Sequence, residues 1–367
     1  MEYCKKCVMP DTKPGVFLDD EGLCNACRTQ KSKRAIDWEQ RQEWLEEICA
    51  EVKQSHNGAY DCLVPVSGGK DGFYQAHTMR QLGMRVLCII LAPHLPTTEG
   101  IVNLNNLVKK LDVDLIKVTL KPSVYKKIRK KTFLMQGEPN WAEHCSMYSV
   151  TANIALLYEV PLIVWGEDIA VEFGGEQNTI SKPEAIDIGS NDAVGNKNIY
   201  DWLDDDISKR DVFFYKYPPL EDLKKIGVKA IYLGYYHFWD GYEHYRIAVK
   251  HGFKKRAEGT LSGNYLDYDN IDEKLCEINI WLKYIKFGFW RPTDQTCYHI
   301  WNGYLSRKEA VKIVNRLQNE FPKEYFNDFL RFHNITEEEF LGTVERFRNP
   351  NLWNKENGQW SLKYPLQ

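Results

Sequence analysis

Hydrophobic positions along the first two thirds of the chain follow two alternating rhythms. Short apolar runs at 62–66, 85–91, 114–120, 162–165 and 230–234 predict strands. Between them, apolar residues three and four apart predict helices over 72–82, 98–111, 123–135 and 143–158. Alternation of this kind predicts a parallel sheet with helices on both faces, an α/β fold. Upstream, Asp37 is placed to cap a helix whose stripe is Trp44, Leu45, Ile48 and Val52, ended by His56-Asn57-Gly58. The final third changes character. A helical stripe runs through Ile271, Leu275, Ile278, Leu282 and Ile285, and Ser306-x-x-Glu309 and Thr336-x-x-Glu339 are capping boxes. The pattern predicts three parts: a small unit over 1–36, the α/β domain over 37–240, and a mostly helical substrate domain over 241–367. The connection 177–228 is long enough to predict a functional loop, such as a lid.

The first predicted strand runs directly into Ser67-Gly68-Gly69-Lys70-Asp71, and a helical pattern with Phe73, Ala76, Met79 and Leu82 follows. Strand, glycine turn and helix start together make an anion site. Gly68 and Gly69 can take positive φ and let phosphate oxygens approach the backbone. The first N–H groups of a helix have no internal partner and point at such a ligand. Ser67 adds a hydroxyl, Lys70 a cation, and Asp71 a carboxylate able to hold Mg²⁺ between phosphate oxygens. The spacing is neither that of a Walker A loop nor that of a G-x-G-x-x-G dinucleotide turn.

Ligands of such sheets lie beyond the carboxyl ends of the strands, where Pro93 to Thr98 and Gly166-Glu167-Asp168 also fall. Carboxylates beside a triphosphate repel it unless a divalent cation lies between them, so Glu167 and Asp168 are candidate Mg²⁺ ligands or general bases. The acidic, glycine-rich stretch continues through Glu172, Gly174, Gly175 and Glu176. Further on, Lys286, Arg291 and Asp294 stand among aromatic residues, a mixture suited to an anionic sugar or nucleotide.

Composition narrows the classes. The 367 residues carry a net charge of −3, with no basic surplus for a nucleic-acid partner. No apolar run approaches the roughly 20 residues that span a bilayer, and no signal-peptide pattern opens the chain, so a cytoplasmic protein is expected. Ten cysteines beside an ATP-type loop predict a reducing compartment and a metal site rather than a disulfide framework. Cys4-x2-Cys7 and Cys24-x2-Cys27 have zinc-knuckle spacing, and four thiolates leave no open position, which predicts a structural Zn²⁺. The surrounding residues supply almost no core, so the metal is expected to fold this unit. Of the other six cysteines, Cys145 is the one to test for chemistry.

The loop Ser67 to Asp71 resembles the SGGxDS pyrophosphate loop of the ATP pyrophosphatase (PP-loop) superfamily, with Gly72 in place of the last Ser. More specifically, the four-cysteine unit, PVSGGKDG, LIVWGEDIAVEFGGE and NIDEKLCEINIWLKYIKFGFWRPTD occur in the order found in the N-acetyl sugar amidotransferase family. That family serves bacterial surface-polysaccharide and flagellin-glycan synthesis. Trp290-Arg291-Pro292 departs from the family's Gly-Arg-Ala, next to the expected sugar site.

The resemblance implies a five-stranded HUP-like sheet and a reaction using ATP and Mg²⁺ that turns an acetamido group into an acetamidino group. Ser67, Gly68, Gly69, Lys70 and Gly166 would hold the nucleotide, with Lys70, Asp71 and Glu167 as catalytic groups. Glu172, Gly174, Gly175, Lys286, Arg291 and Asp294 would contact the sugar. Ammonia is expected from a separate glutaminase, because Glu2 stands where a fused enzyme of that kind needs a cysteine and no cysteine lies in a nucleophile elbow. The rival expectation is a zinc-containing PP-loop enzyme that thiolates tRNA. Such chemistry needs clustered cysteines for sulfur relay, whereas those after Cys27 are widely separated.

Overall fold

The computed structural model describes residues 1–168, 172, 183–186 and 198–367. Five strands form one parallel sheet: β1 (Cys62–Pro65), β2 (Val86–Leu91), β3 (Asp114–Val118), β4 (Leu162–Trp165) and β5 (Lys229–Tyr232), ordered β3-β2-β1-β4-β5. Each expected strand is present, within one or two residues at most of its ends. The chain reverses direction across the sheet between β1 and β4, so a crevice opens beyond the carboxyl ends of these two strands.

Side chains of successive strand residues enter opposite layers, as the period of two requires. Leu63, Leu87, Ile89, Ile163 and Ala230 enter one core. Cys62, Val64, Cys88, Val164 and Ile231 enter the other. Helices α1 (Asn25–Lys33), α2 (Trp38–Ser55), α3 (Lys70–Gln81), α4 (Thr98–Leu111), α5 (Pro122–Gln136) and α6 (Trp141–Leu157) lie in chain order. Phe73, Ala76 and Met79 of α3 are fully buried in the second core. On α2 the buried stripe is Leu45, Cys49 and Val52; Trp44, expected on this face, is 41% exposed, because the neighbour of Leu45 points about 100° around the helix.

The C-terminal part is mostly helical, and the capping boxes at Ser306 and Thr336 are both formed. The helix expected from Ile271 starts only at Cys276. Residues before it run alongside the segment after β2: Thr97 N–H donates to Asp272 O, and Lys274 N–H to Leu95 O. Those backbone groups are therefore committed to an extended pairing, and Ile271 is buried from a loop. Leu275, Ile278, Leu282 and Ile285 still pack into the first core with Phe329 and Phe340 of later helices. The chain ends in an antiparallel hairpin, β6 (Trp353–Glu356) and β7 (Gln359–Leu362). Among the described residues no helix is long and apolar enough to cross a membrane.

Candidate active site

The loop after β1 turns on Gly68 alone: Gly69, also expected to allow positive φ, is extended at φ −74° as the N-cap of α3. Gly68 has φ +96°, and a Cβ there would lie 3.0 Å from Gly100 O and 3.2 Å from Leu104 N. Gly68→Ala is therefore expected to destabilise the chain by about 1–2 kcal/mol through backbone strain and a backbone clash. Urea unfolding with an unchanged m-value checks this. Gly69 N–H donates to Ser67 Oγ at 3.2 Å, and α3 begins at Lys70. Gly72 also has a local reason. A Cβ there would meet Val66 Cβ at 3.1 Å, so the β-branched residue ending the strand takes the space that a serine would need.

Two cavities meet at this turn. The first, about 290 Å³, opens at the carboxyl ends of β1, β2 and β4, between Val66, Ile89, Trp165 and Met147. It lies at the lower end of small-ligand pockets in size. The second, about 200 Å³, lies between the start of α3 and the C-terminal helices and is lined by Lys70, Trp239, Asp269, Arg291 and Gln295. Asp71 and Glu167 line both.

A charge network fixes this junction. Lys70 Nζ donates to Asp71 Oδ2 at 2.8 Å and to Asp269 Oδ1 at 3.1 Å. Arg291 approaches Asp269 at 3.7 Å and pairs with the buried Glu277 at 3.3 Å. Gln295 Nε2 donates to Asp269 Oδ2 at 3.3 Å. Burial alone would lower the Lys70 pKa, but the Asp71 and Asp269 carboxylates hold it above its ordinary value. Burial would raise Asp71, yet Lys70 and His244 more than offset this and hold it well below the carboxylate range.

His244 is 1% exposed and stacks on Tyr74 with centroids 3.8 Å apart. Burial lowers its pKa, so the ring is neutral at neutral pH. Its Nδ1 lies 2.7 Å from Asp71 Oδ1, so the hydrogen sits on Nδ1 and is donated to the carboxylate. Both Asp71 oxygens thus have one partner and keep lone pairs free, which suits a divalent cation bridging to phosphate.

Glu167 follows Gly166 at the end of β4. Gly166 is pressed against Trp239, whose ring would lie 2.8 Å from a Cβ. With its amide turned to satisfy both neighbours, Gln75 accepts from Gly166 N–H at 2.7 Å and donates to Asp71 O at 3.3 Å. The loops after β1 and β4 are therefore tied together. Burial, and then the Asp71 charge, push the Glu167 carboxyl up to about 7. One carboxylate is held ionised and its neighbour is poised to exchange a proton near neutrality.

The remaining expected site residues are more scattered. Glu172 is buried, lines neither cavity, and takes Lys33 Nζ on Oε2 at 2.7 Å. Gly174 and Gly175 lie outside the described residues. Arg291 and Asp294 line the second cavity, whereas Lys286 lies in a third cavity beside it. The Cys145 thiol donates to Tyr215 O at 3.1 Å, and burial pushes its pKa up to about 12, so it is no nucleophile near neutral pH. The sequence reading missed Asp269, His244 and Gln295.

The four knuckle cysteines form one buried group whose sulfurs all lie within 4.8 Å of one another. Cys4–Cys27 and Cys7–Cys24 are 3.8 and 3.7 Å apart. Four sulfurs at about 2.3 Å from a tetrahedral Zn²⁺ lie roughly 3.8 Å apart, so the set fits that ion. Backbone N–H groups of Lys6 and Met9 point at Cys4 and Cys7 sulfurs, and Trp301 Nε1 donates to Cys27 Sγ at 3.2 Å. The unit has more apolar burial than expected: Val8, Met9, Val16 and Ala26 are buried with the cysteines in a core shared with Phe289, Trp301 and Val314.

Residues 230–366 match the family described as "LPS biosynthesis protein WbpG-like, C-terminal domain". The likeness to a surface-glycan family is borne out over this part of the chain. It covers Asp269, Arg291 and Gln295, the far wall of the second cavity. No curated protein matches the sequence. Among solved structures, NMN synthetase from Francisella tularensis is 12% identical, with a TM-score of 0.30, over 37% of this chain and 56% of that one. NH3-dependent NAD synthetase from Campylobacter jejuni subsp. jejuni is 15% identical, with a TM-score of 0.30, over 37% of this chain and 58% of that one. The chain thus spans less than two thirds of either protein.

Proposed function

We propose that this protein is an ATP-dependent, AMP-forming amidotransferase of surface-glycan synthesis that converts an acetamido group of a sugar to an acetamidino group. The observation that carries the reading is the meeting of two cavities at Asp71 and Glu167, one at the strand ends and one against the family-matched helices. In this reading ATP enters the first cavity and its phosphates run over the turn Ser67, Gly68, Gly69 toward Lys70 at the edge of the second, where the sugar binds.

An amide oxygen is a poor leaving group and must be activated. In the proposed first step that oxygen attacks the α-phosphorus of ATP, the bond to the β-phosphate oxygen breaks, and pyrophosphate leaves. Glu167 takes the amide N–H proton, which leaves a neutral O-adenylated imidate. Ammonia from a separate glutaminase then adds to the imidate carbon, the C–O bond breaks, AMP leaves and an amidine remains. Mg²⁺ held by Asp71 would neutralise phosphate charge. Otherwise the chain supplies orientation and fixed charge, which suffice for phosphoryl chemistry of this kind.

The test is release of AMP and pyrophosphate from Mg-ATP with ammonium across a panel of acetamido sugars and one unmodified tRNA pool, with product masses read from the same tubes. Sugar-dependent AMP with oxygen exchanged for NH is expected. AMP formed only with tRNA would sink the reading in favour of thiolation. Because Glu167 is active when ionised, kcat/KM should fall about tenfold per unit below pH 7 and level off above it. Glu167→Gln should flatten that limb.

A further inference from the structure

A third cavity, of about 380 Å³, lies between the end of α5 and the helix Cys276–Phe287. The chemistry proposed above does not use it. Lys283, Lys286, His144, Asn140, Asn279 and Asn270 line it, with Glu138 as its one carboxylate among the described residues. Asn270 also lines the sugar cavity. Lys283 donates to Asp294, and the two partners of this pair face cavities on either side of it. The three cavities thus form a row, joined first at Asp71 and Glu167 and then at Asn270.

The lining has donors to spare. Among the described residues Lys286 has no ion-pair partner; its ammonium donates to Gly137 O at 3.1 Å. Burial pulls its pKa down, and Glu138 offsets only part of this. His144 Nδ1 is buried without a hydrogen-bond partner among the described residues. A partly buried ammonium and an unpaired ring nitrogen are costly unless a ligand supplies acceptor oxygens.

We propose that this cavity holds the anionic group of the sugar substrate, a phosphate or a carboxylate carried away from the acetamido group. Lys286 is its main contact, and Lys283 turns to it from Asp294. The inference rests on the amidotransferase reading for its orientation: the acetamido end lies at Glu167, one cavity away. A charge-assisted bond in such a site separates anionic from neutral sugars by tenfold or more.

Calorimetric titration of the full chain tests this with three probes: UDP-N-acetylglucosamine, N-acetylneuraminic acid and N-acetylglucosamine. At least one anionic probe should bind about tenfold or more tighter than the neutral sugar, and which one does so distinguishes phosphate from carboxylate. Lys286→Met should remove that advantage, and Lys286→Arg should restore most of it. Melting curves of both variants show that they fold. Equal affinities for all three probes, no binding of either anionic probe, or a charge preference that survives Lys286→Met would each overturn the proposal. Failure of the amidotransferase reading looks different: anionic probes would bind through Lys286 with no AMP formed. Conversely, AMP formed equally well with neutral sugars would leave that reading standing and remove this one.

Discussion

Asp71→Asn is expected to reduce AMP formation on the order of 10³-fold while leaving the chain folded. The substitution keeps the shape of the side chain and removes one negative charge from the junction of the two cavities. Lys70 retains Asp269 as a partner, so its ammonium is not left buried and alone. His244 can still donate to the amide oxygen, but that oxygen carries no charge and is a weaker cation ligand than the carboxylate it replaces. The stability effect follows from the direction of the shift. A carboxyl held below its ordinary range contributes stability that is present above its unfolded pKa and is lost as pH falls through the folded value. The variant should therefore lose a small amount of stability at neutral pH and approach the parent in strong acid.

A second readout separates electrostatics from simple damage. Glu167 is raised first by burial and then by the Asp71 charge. Removing that charge lets Glu167 ionise more easily, so the acidic limb of the residual activity should move below pH 7. An unmoved limb would mean that another group titrates there, and Glu167 would lose its assignment as the base.

The parts of this site that are local in sequence could be read before folding. β1, the Gly68 turn and the start of α3 are contiguous, and each is set by apolar run, positive φ or helix periodicity. The knuckle cysteines were legible because two short spacings define a chelate. Asp269 reaches Lys70 across 199 positions and His244 reaches Asp71 across 173, with Gln295 joined to them through Asp269, all by packing that no local period encodes. His244 sits on a helix, Gly241–Lys250, that packs along α3, with Phe253 just beyond it edge-on to Phe73. Glu172 is placed differently from the other expected site residues. It belongs to an acidic stretch suited to a site, yet it is neutralised by Lys33, 139 residues earlier in the chain. The terminal hairpin was within reach. Asn357-Gly358 has φ values of +49° and +80°, the signature of a tight two-residue turn, flanked by Trp353 and Trp360.

Loss of the metal should have the widest effect on this molecule. One Zn²⁺ per chain is expected by elemental analysis. Cys24→Ser, or a strong chelator, should cost roughly 5 kcal/mol or more, since metal binding to a site formed only in the folded chain is folding energy. For a chain of this size that corresponds to a fall in Tm on the order of 10 °C. The damage should be directional. Cys27 accepts from Trp301 at the end of the helix Arg291–Trp301, and Arg307 Nε donates to the carbonyls of Cys4 and Cys7. That same helix carries Arg291 and Gln295 into the second cavity, the proposed sugar site, whereas the first cavity is built on the sheet. At temperatures where the metal-depleted protein is still folded, KM for the sugar should rise several-fold more than KM for ATP. A metal-free protein with unchanged Tm would remove the structural role, and equal changes in both KM values would show that the knuckle supports the whole fold rather than the sugar side.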